Sequence, residues 1–246
     1  MPDALDLRRS FARELRRVLR RASRGSGSAD IHAVRKGITR LRSWLRLARE
    51  PLGTRRFHTH NRRLRGAARI LAPMRDARVT LAAFEAVGSA ASFPNTSKRL
   101  HRQARRAKQS AAGALRKVKR QLKKEREAIS HLPSGKRTRR DFVAGLEEMR
   151  GEMNAAFDAA RARAGVESLH TWRKRTKNYL HALDFLGINN RRQKSAARVN
   201  QFLGEEHDFT LLEADITAHR SKPECDELLG LIAARRLKLR LRLFPR

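Results

Sequence analysis

Two stretches of the chain carry residue types suited to binding anions, and they carry them at the same spacing. His32, Arg35 and Lys36 stand at i, i+3 and i+4, followed by Arg40, Arg42 and Arg46; His170, Arg173 and Lys174 repeat the pattern, followed by Lys177 and His181. On a helix, intervals of three and four gather side chains on one face. Guanidinium groups fork onto two oxygens of an oxyanion, ammonium groups act as compact charges, and imidazoles donate through one or both ring nitrogens. The chemistry on offer is recognition of phosphate by charge and hydrogen bonding. Further along each half, Arg75-Asp76 falls against His207-Asp208 at an offset of 132. Arg75 and His207 join the donors. Asp76 and Asp208 would repel phosphate and are read as orienting groups that hold a neighbouring Arg or His, with ordinary salt bridging between helices as the alternative.

Other constellations offer less. His58 and His60 lie two residues apart, on different helix faces, and are poor joint metal ligands. Glu205-Glu206-His207-Asp208 is acidic enough for a hard cation but lacks the His-Glu-x-x-His spacing of a zinc hydrolase. SGKRT at 134–138 is not a phosphate-cradling Walker loop, because Ser130 occupies its first glycine position. No nucleophile, base and orienter stand together. Neither a metal, a cofactor nor a catalytic residue is expected.

The elements that would position these groups are helices. Ile31 to Arg49 aligns without gaps on Leu169 to Gly187 at an offset of 138. Ile31, Val34, Ile38, Leu41 and Leu45 share one face, as do Leu169, Trp172, Thr176, Tyr179, Leu183 and Leu186, while His32, Arg35, Lys36 and Arg46 lie opposite. A solvated back face would show the same pattern. Helix two, however, has no acid between Asp30 and Glu50, and the same letters recur in the second half, which favours an anion groove shared by the halves.

No strand pattern is found, so the fold class is all-α. Helices are expected at about Pro2–Ser23, Ile31–Arg49 with Asp30 as N-cap, Arg55–Val87 with a kink near Pro73, and Thr96–His131. PSGKR at 133–137 separates the halves, and further helices follow at about 138–164, 168–187, 189–220 and 223–243. Eight helices in four plus four suggest two pseudo-symmetric four-helix bundles, with repeat halves of about 1–132 and 138–246 in one domain over 1–246. Arg235 to Arg246 either completes the second bundle or meets a partner.

Composition narrows the partner. Lys and Arg number 58 against 24 Asp and Glu, a net charge of +34 that calls for a polyanion. With 40% apolar residues and 14 glycines the chain retains a core. Between Asn95 and Arg140 stand 17 Lys and Arg and only two acids. One cysteine, Cys225, excludes an intramolecular disulfide framework and fits a reducing compartment. The first residues hold Asp3 and Asp6 and no continuous apolar run, so neither a signal peptide nor a membrane partner is expected. Thirteen aromatics, mostly on core faces, offer few platforms for stacked bases.

The segments His32-x-x-Arg35-Lys36 with Arg40-Leu41-Arg42, Arg75-Asp76, His170-x-x-Arg173-Lys174-x-x-Lys177 and Leu203-Gly204-x-x-His207-Asp208, in that order over nearly the whole chain, resemble the CHAD family, the conserved histidine α-helical domain. The resemblance implies two four-helix bundles about a pseudo-two-fold axis, a basic channel that binds inorganic polyphosphate, association with polyphosphate granules in the cytoplasm, and no catalysis. Thr39 and Leu180 depart from the family pattern, each standing where a basic residue is usual or frequent, and are weak choices for ligand contact. Non-catalytic binding of polyphosphate is thus the expected function. General nucleic-acid binding is the alternative, and a histidine phosphohydrolase lacks the convergent carboxylates or metal its chemistry requires. Phosphates beside His32 and His170 would favour their cations, predicting tighter binding in mild acid.

Overall fold

A computed structural model of the chain describes residues 6–25, 27–88, 90–129, 139–219 and 224–244. Among these there are helices and no strands. They are α1 (Leu7–Arg24), α2 (Ser28–Leu47), α3 (Arg49–Leu52), α4 (Thr54–Ile70), α5 (Ala72–Glu85), α6 (Pro94–Ile129), α7 (Val143–Ala162, entered by a 3-10 turn at Arg139–Phe142), α8 (Val166–Phe185), α9 (Arg191–Ala218) and α10 (Glu224–Leu243).

Local chemistry accounts for several boundaries and corrects some expected ones. Asp6 accepts the Arg9 amide at 2.8 Å and caps α1; the expected start at Pro2 lies outside the described residues. Asp30 is not the N-cap of α2 but its third residue, where its carboxylate accepts the Gly27 amide at 3.3 Å. Gly53, at φ 76°, makes the left-handed turn between α3 and α4, a conformation that only glycine adopts without a steric cost. The expected kinked helix over 55–87 is two helices. Pro73 has no amide to donate and its ring clashes with the preceding turn, so α4 ends at Ile70 and α5 restarts after Leu71 with proline in its first turn. His131, the separator at 133–137 and the expected helix ends at 138, 220 and 223 lie outside the described residues.

Helix packing follows the apolar stripes. Leu7, Phe11, Leu15, Val18 and Ala22 of α1 meet the stripe of α2, and Gly37 permits this, since a Cβ there would lie 2.3 Å from the Val18 side chain. The same core takes in Leu64 of α4, Leu115, Val118 and Leu122 of α6, and Tyr179, Leu183 and Leu186 at the end of α8. A second core joins Phe84 of α5, Phe93 just before α6 and Leu100 of α6 to Phe209, Leu212 and Ile216 of α9 and Leu228, Ile232 and Leu239 of α10. A third gathers Ala156, Ala160, Leu169, Trp172, Leu203 and Leu243. The first two cores draw residues from both sides of 133–137, so burial of apolar surface ties the early helices to the late ones.

Of the stretch 235–246, residues 235–244 belong to this packing, and the last two lie outside the described residues. α10 runs on to Leu243, burying Leu239 and Leu243, and Arg236 donates to Glu206 of α9 at 3.0 Å from Nε and 2.8 Å from Nη2. No helix among the described residues is long and apolar enough to cross a membrane.

Candidate anion-binding site

α2 and α8 carry the two His-x-x-Arg-Lys segments, and they pack on one another. Ser43 Oγ donates to Asn178 Oδ1 at 3.1 Å, Trp44 Nε1 donates to the His181 carbonyl at 3.2 Å, and the Trp44 and Phe185 rings lie 5.0 Å apart. α5 packs on both α2 and α9, and α9 on α8. Because Pro73 restarts the helix, Arg75 and Asp76 sit near the beginning of α5 and face this junction.

The result is a half-buried cluster of cations drawn from both halves. Arg35 of α2 donates to the Ala68 carbonyl at 3.4 Å and lies close enough to Arg75 for the two charges to oppose each other. Arg173 of α8 is similarly held below its ordinary value by burial, then by Arg75, with Arg35 adding to the effect. Lys177 shows the crowding most clearly. Burial and then the charges of Arg173, Arg35, Arg75 and Lys36 bring its ammonium down from 10.5 to about 8. Such mutual repulsion in a half-dry site costs free energy that a bound polyanion would relieve.

Two aspartates hold Arg75. Its Nη2 donates to Asp208 at 2.6 Å and its Nη1 to Asp76 at 3.0 Å, with His207 Nε2 3.5 Å from Nη1. Burial pushes the Asp208 carboxyl up while Arg75 and Arg173 pull it down. The His170 and His207 rings lie 4.6 Å apart, and His170 Nδ1 is buried without a hydrogen-bond partner among the described residues.

The histidines resist protonation. His32 is lowered by partial burial and by Arg78, Lys177 and Lys36; His170 is lowered by burial and by Lys174 and Arg173. His207 and His181 fall from 6.5 to about 3, each chiefly through burial and then through neighbouring cations. His181 is half-buried rather than the surface donor expected from its helix face. Its Nε2 has no partner among the described residues, and it lines a cavity of about 330 Å³ with Lys36, Arg40, Leu180 and Lys194.

Three expected donors are already committed elsewhere. Arg40 pairs with Glu14 at 2.9 Å and Asp184 at 3.5 Å. Arg42 donates to Asn61 of α4 at 2.9 Å, and burial, then the charges of Arg65 and Arg46, hold it below its ordinary value. Arg46 donates to Glu152 of α7, which also accepts Arg175 at 3.0 Å. The structure thus brings together His32, Arg35, Lys36, Arg75, His170, Arg173, Lys174, Lys177 and His207, leaves Arg40 and His181 at one edge, and takes Arg42 and Arg46 away. Thr39 turns its hydroxyl back to the Arg35 carbonyl at 2.9 Å. Arg78 was missed. Its charge bears on both His32 and Asp208, and it follows Arg75 by one helical turn, but the 132 offset sets it against Thr210 and so hides it from a repeat-based reading.

Along α8, His170 to His181 covers about 16 Å at 1.5 Å per residue, enough to track several units of a linear anion. Among the described residues no three His, Cys, Asp or Glu converge as metal ligands.

Comparison with known proteins places this all-helical architecture. The CHAD domain family model matches residues 7–217, and the chain belongs to that family. The crystal structure of the CHAD domain from the plant Ricinus communis is similar in fold, with a TM-score of 0.71 over 100% of this chain and 90% of that one at 18% identity. No curated protein matches the chain in sequence.

Proposed function

We propose that the chain binds inorganic polyphosphate without turning it over, in a cationic groove between α2, α5, α8 and α9, and that this binding directs it to polyphosphate granules. One observation carries the reading: Arg35, Lys36, Arg75, Arg173 and Lys177 come from three helices in both halves and converge on one place, where burial and then their mutual charge hold the Lys177 ammonium at about 8. Polyphosphate carries roughly one charge per unit and no base, so it suits a site built of forked guanidinium and point-charge donors with no aromatic platform. Family membership supports the same ligand.

The test is competition at fixed moderate salt, because counterion release sets the apparent affinity of any polyanion. Labelled long-chain polyphosphate should survive a phosphate-matched excess of duplex DNA or single-stranded RNA. Equal displacement by nucleic acid would make the surface a general polyanion binder, with the exposed Arg102, Arg105, Arg106 and Lys108 of α6 as its obvious contributors. Release of orthophosphate on incubation would overturn the non-catalytic reading.

A further inference from the structure

The outward face of α10 is patterned for a helix that the chain itself does not supply. α10 buries Cys225, Leu228, Ile232, Leu239 and Leu243 and packs on α9. On the side away from that core stand Gly230, Ala234, Leu237 and Leu241, at intervals of four, three and four. This is the spacing of a coiled-coil seam, in which each apolar side chain seats between residues of a facing helix. All four positions are exposed, Leu237 at 59% and Leu241 at 58%. With Leu231, at 42%, α10 holds three of the five large apolar side chains exposed among the described residues. Leucines gathered on one helix face mark an interaction surface, whereas scattered ones would need no explanation.

Gly230 points the same way on separate grounds. Glycine inside a helix lowers stability relative to alanine and is kept where another backbone approaches closely. A Cβ at Gly230 would meet nothing within 4 Å, so packing inside the chain does not ask for its absence. Charge is sorted along the same face. The exposed Glu227 stands near the start of α10, and the exposed Lys238 and Arg242 stand near its end on the same side of the seam.

We propose that α10 docks antiparallel on α10 of a second copy of this chain. In the register that overlaps the seam fully, Leu241 lies over the partner's Gly230 and Leu237 over the partner's Ala234, and the two-fold axis repeats both layers. Every layer then sets a large side chain against a small one, which fills the seam without overpacking. Glu227 comes opposite the partner's Arg242, and the apolar stem of Lys238 lies along the partner's Leu231. A parallel pair would set glycine on glycine and like charges together. A lipid surface gains little from a face that is half glycine and alanine with a carboxylate at its end. Each copy carries +34, so repulsion opposes pairing until salt screens it. None of these residues belongs to the cation cluster, and the inference stands apart from the polyphosphate reading.

The experiment is sedimentation equilibrium of the full chain at about 0.1 M and about 1 M salt, between which the screening length falls from roughly 10 Å to roughly 3 Å. A dimer should form and tighten as salt rises, the reverse of polyanion binding. Leu237→Ser with Leu241→Ser should weaken it about tenfold or more, while the melting temperature of the dilute monomer stays nearly unchanged because both side chains are exposed. At the lower salt Glu227→Arg should also weaken it, and Arg242→Glu in the same chain should restore it. Orientation is read by oxidising an equimolar mixture of Gly230→Cys and Leu241→Cys chains, which should give the mixed disulfide dimer, whereas the Leu241→Cys chain alone should give none. A chain that stays monomeric up to about 1 mM at both salt concentrations, a dimer indifferent to the leucine variant, or a crosslink between two Leu241→Cys chains would overturn the proposal.

Discussion

Arg75 of α5 donates to Asp208 of α9 at 2.6 Å across 133 residues of sequence. The pair locks a long guanidinium side chain at the junction of the halves, and Asp76 holds its other nitrogen at 3.0 Å. Asp208→Ala leaves Arg75 and Arg173 without their shared counter-charge in a half-buried place. It should lower unfolding stability by about 1–2 kcal/mol, read from the denaturant midpoint at constant slope. An unchanged midpoint would mean that solvent screens the pair fully.

The same geometry separates residues that share a helix. Arg35→Ala with Arg173→Ala should weaken polyphosphate binding about tenfold or more, because each removes a charge-assisted donor from the cluster. Arg42 and Arg46 are tied to Asn61 and Glu152, so their joint replacement by alanine should change binding by less than about twofold. Equilibrium binding at one salt concentration checks both, and reversal of the order would place the ligand on the other face of α2.

Lys177 supplies a pH signature. Its ammonium titrates at about 8 in the free protein against an ordinary 10.5. Between these values the unfolded chain holds a proton that the native chain lacks, so intrinsic stability from this group rises with pH across that window. A bound polyanion restores the proton. Polyphosphate binding at about pH 8–9 should therefore take up protons, and affinity should fall as pH rises through about 8. Calorimetry in buffers of different ionisation heat measures the uptake directly; zero uptake would remove Lys177 from the site.

His181 and His207 act in the acid range. Each titrates at about 3 in the native chain against 6.5 when unperturbed, so below 6.5 the unfolded state binds protons that the native state does not. Their contribution to stability falls as pH drops from 6.5 toward 3. Replacing both by glutamine should flatten that part of the melting-temperature profile.

Arg236 anchors α10. Glu206 is buried at 2% exposure and receives both Arg236 nitrogens, with Arg240 at 3.2 Å. Arg236→Ala leaves the buried Glu206 carboxylate with Arg240 alone and takes the partner from Glu213, and should cost about 2–3 kcal/mol in a denaturation curve. Arg242→Ala, at an exposed position of the same helix, is the control. The Arg242 guanidinium lies over the Phe202 ring at 5.8 Å, and its loss should cost about 0.5 kcal/mol. Equal costs for the two variants would mean that the Glu206 contact does not hold α10 in place.

Much of this architecture is written in local sequence. The stripes of α2 and α8 follow from apolar residues at helical spacing, and the 138 offset is reproduced at both ends of these helices, Ser28 against Val166 and Leu47 against Phe185. Periodicity is a short-range property, so reading it needs no knowledge of what the helix meets. Pro73 likewise signals an interruption, but its local effect allows either a bend or a break, and the structure shows a break at Leu71.

Sequence alone determined an all-helical chain, an excess of 34 positive charges, and two matching faces bearing His, Arg and Lys. Tertiary structure decided which of those cations remain available. Glu14, Glu152 and Asp184 claim Arg40 and Arg46 from other helices, while Arg35, Arg75, Arg173 and Lys177 are pressed together with fewer acids than they could pair with. The physical reason is reach: a helix fixes the direction of a long side chain, but its charge partner and its desolvation come from elements distant in sequence, and only the packed molecule sets both.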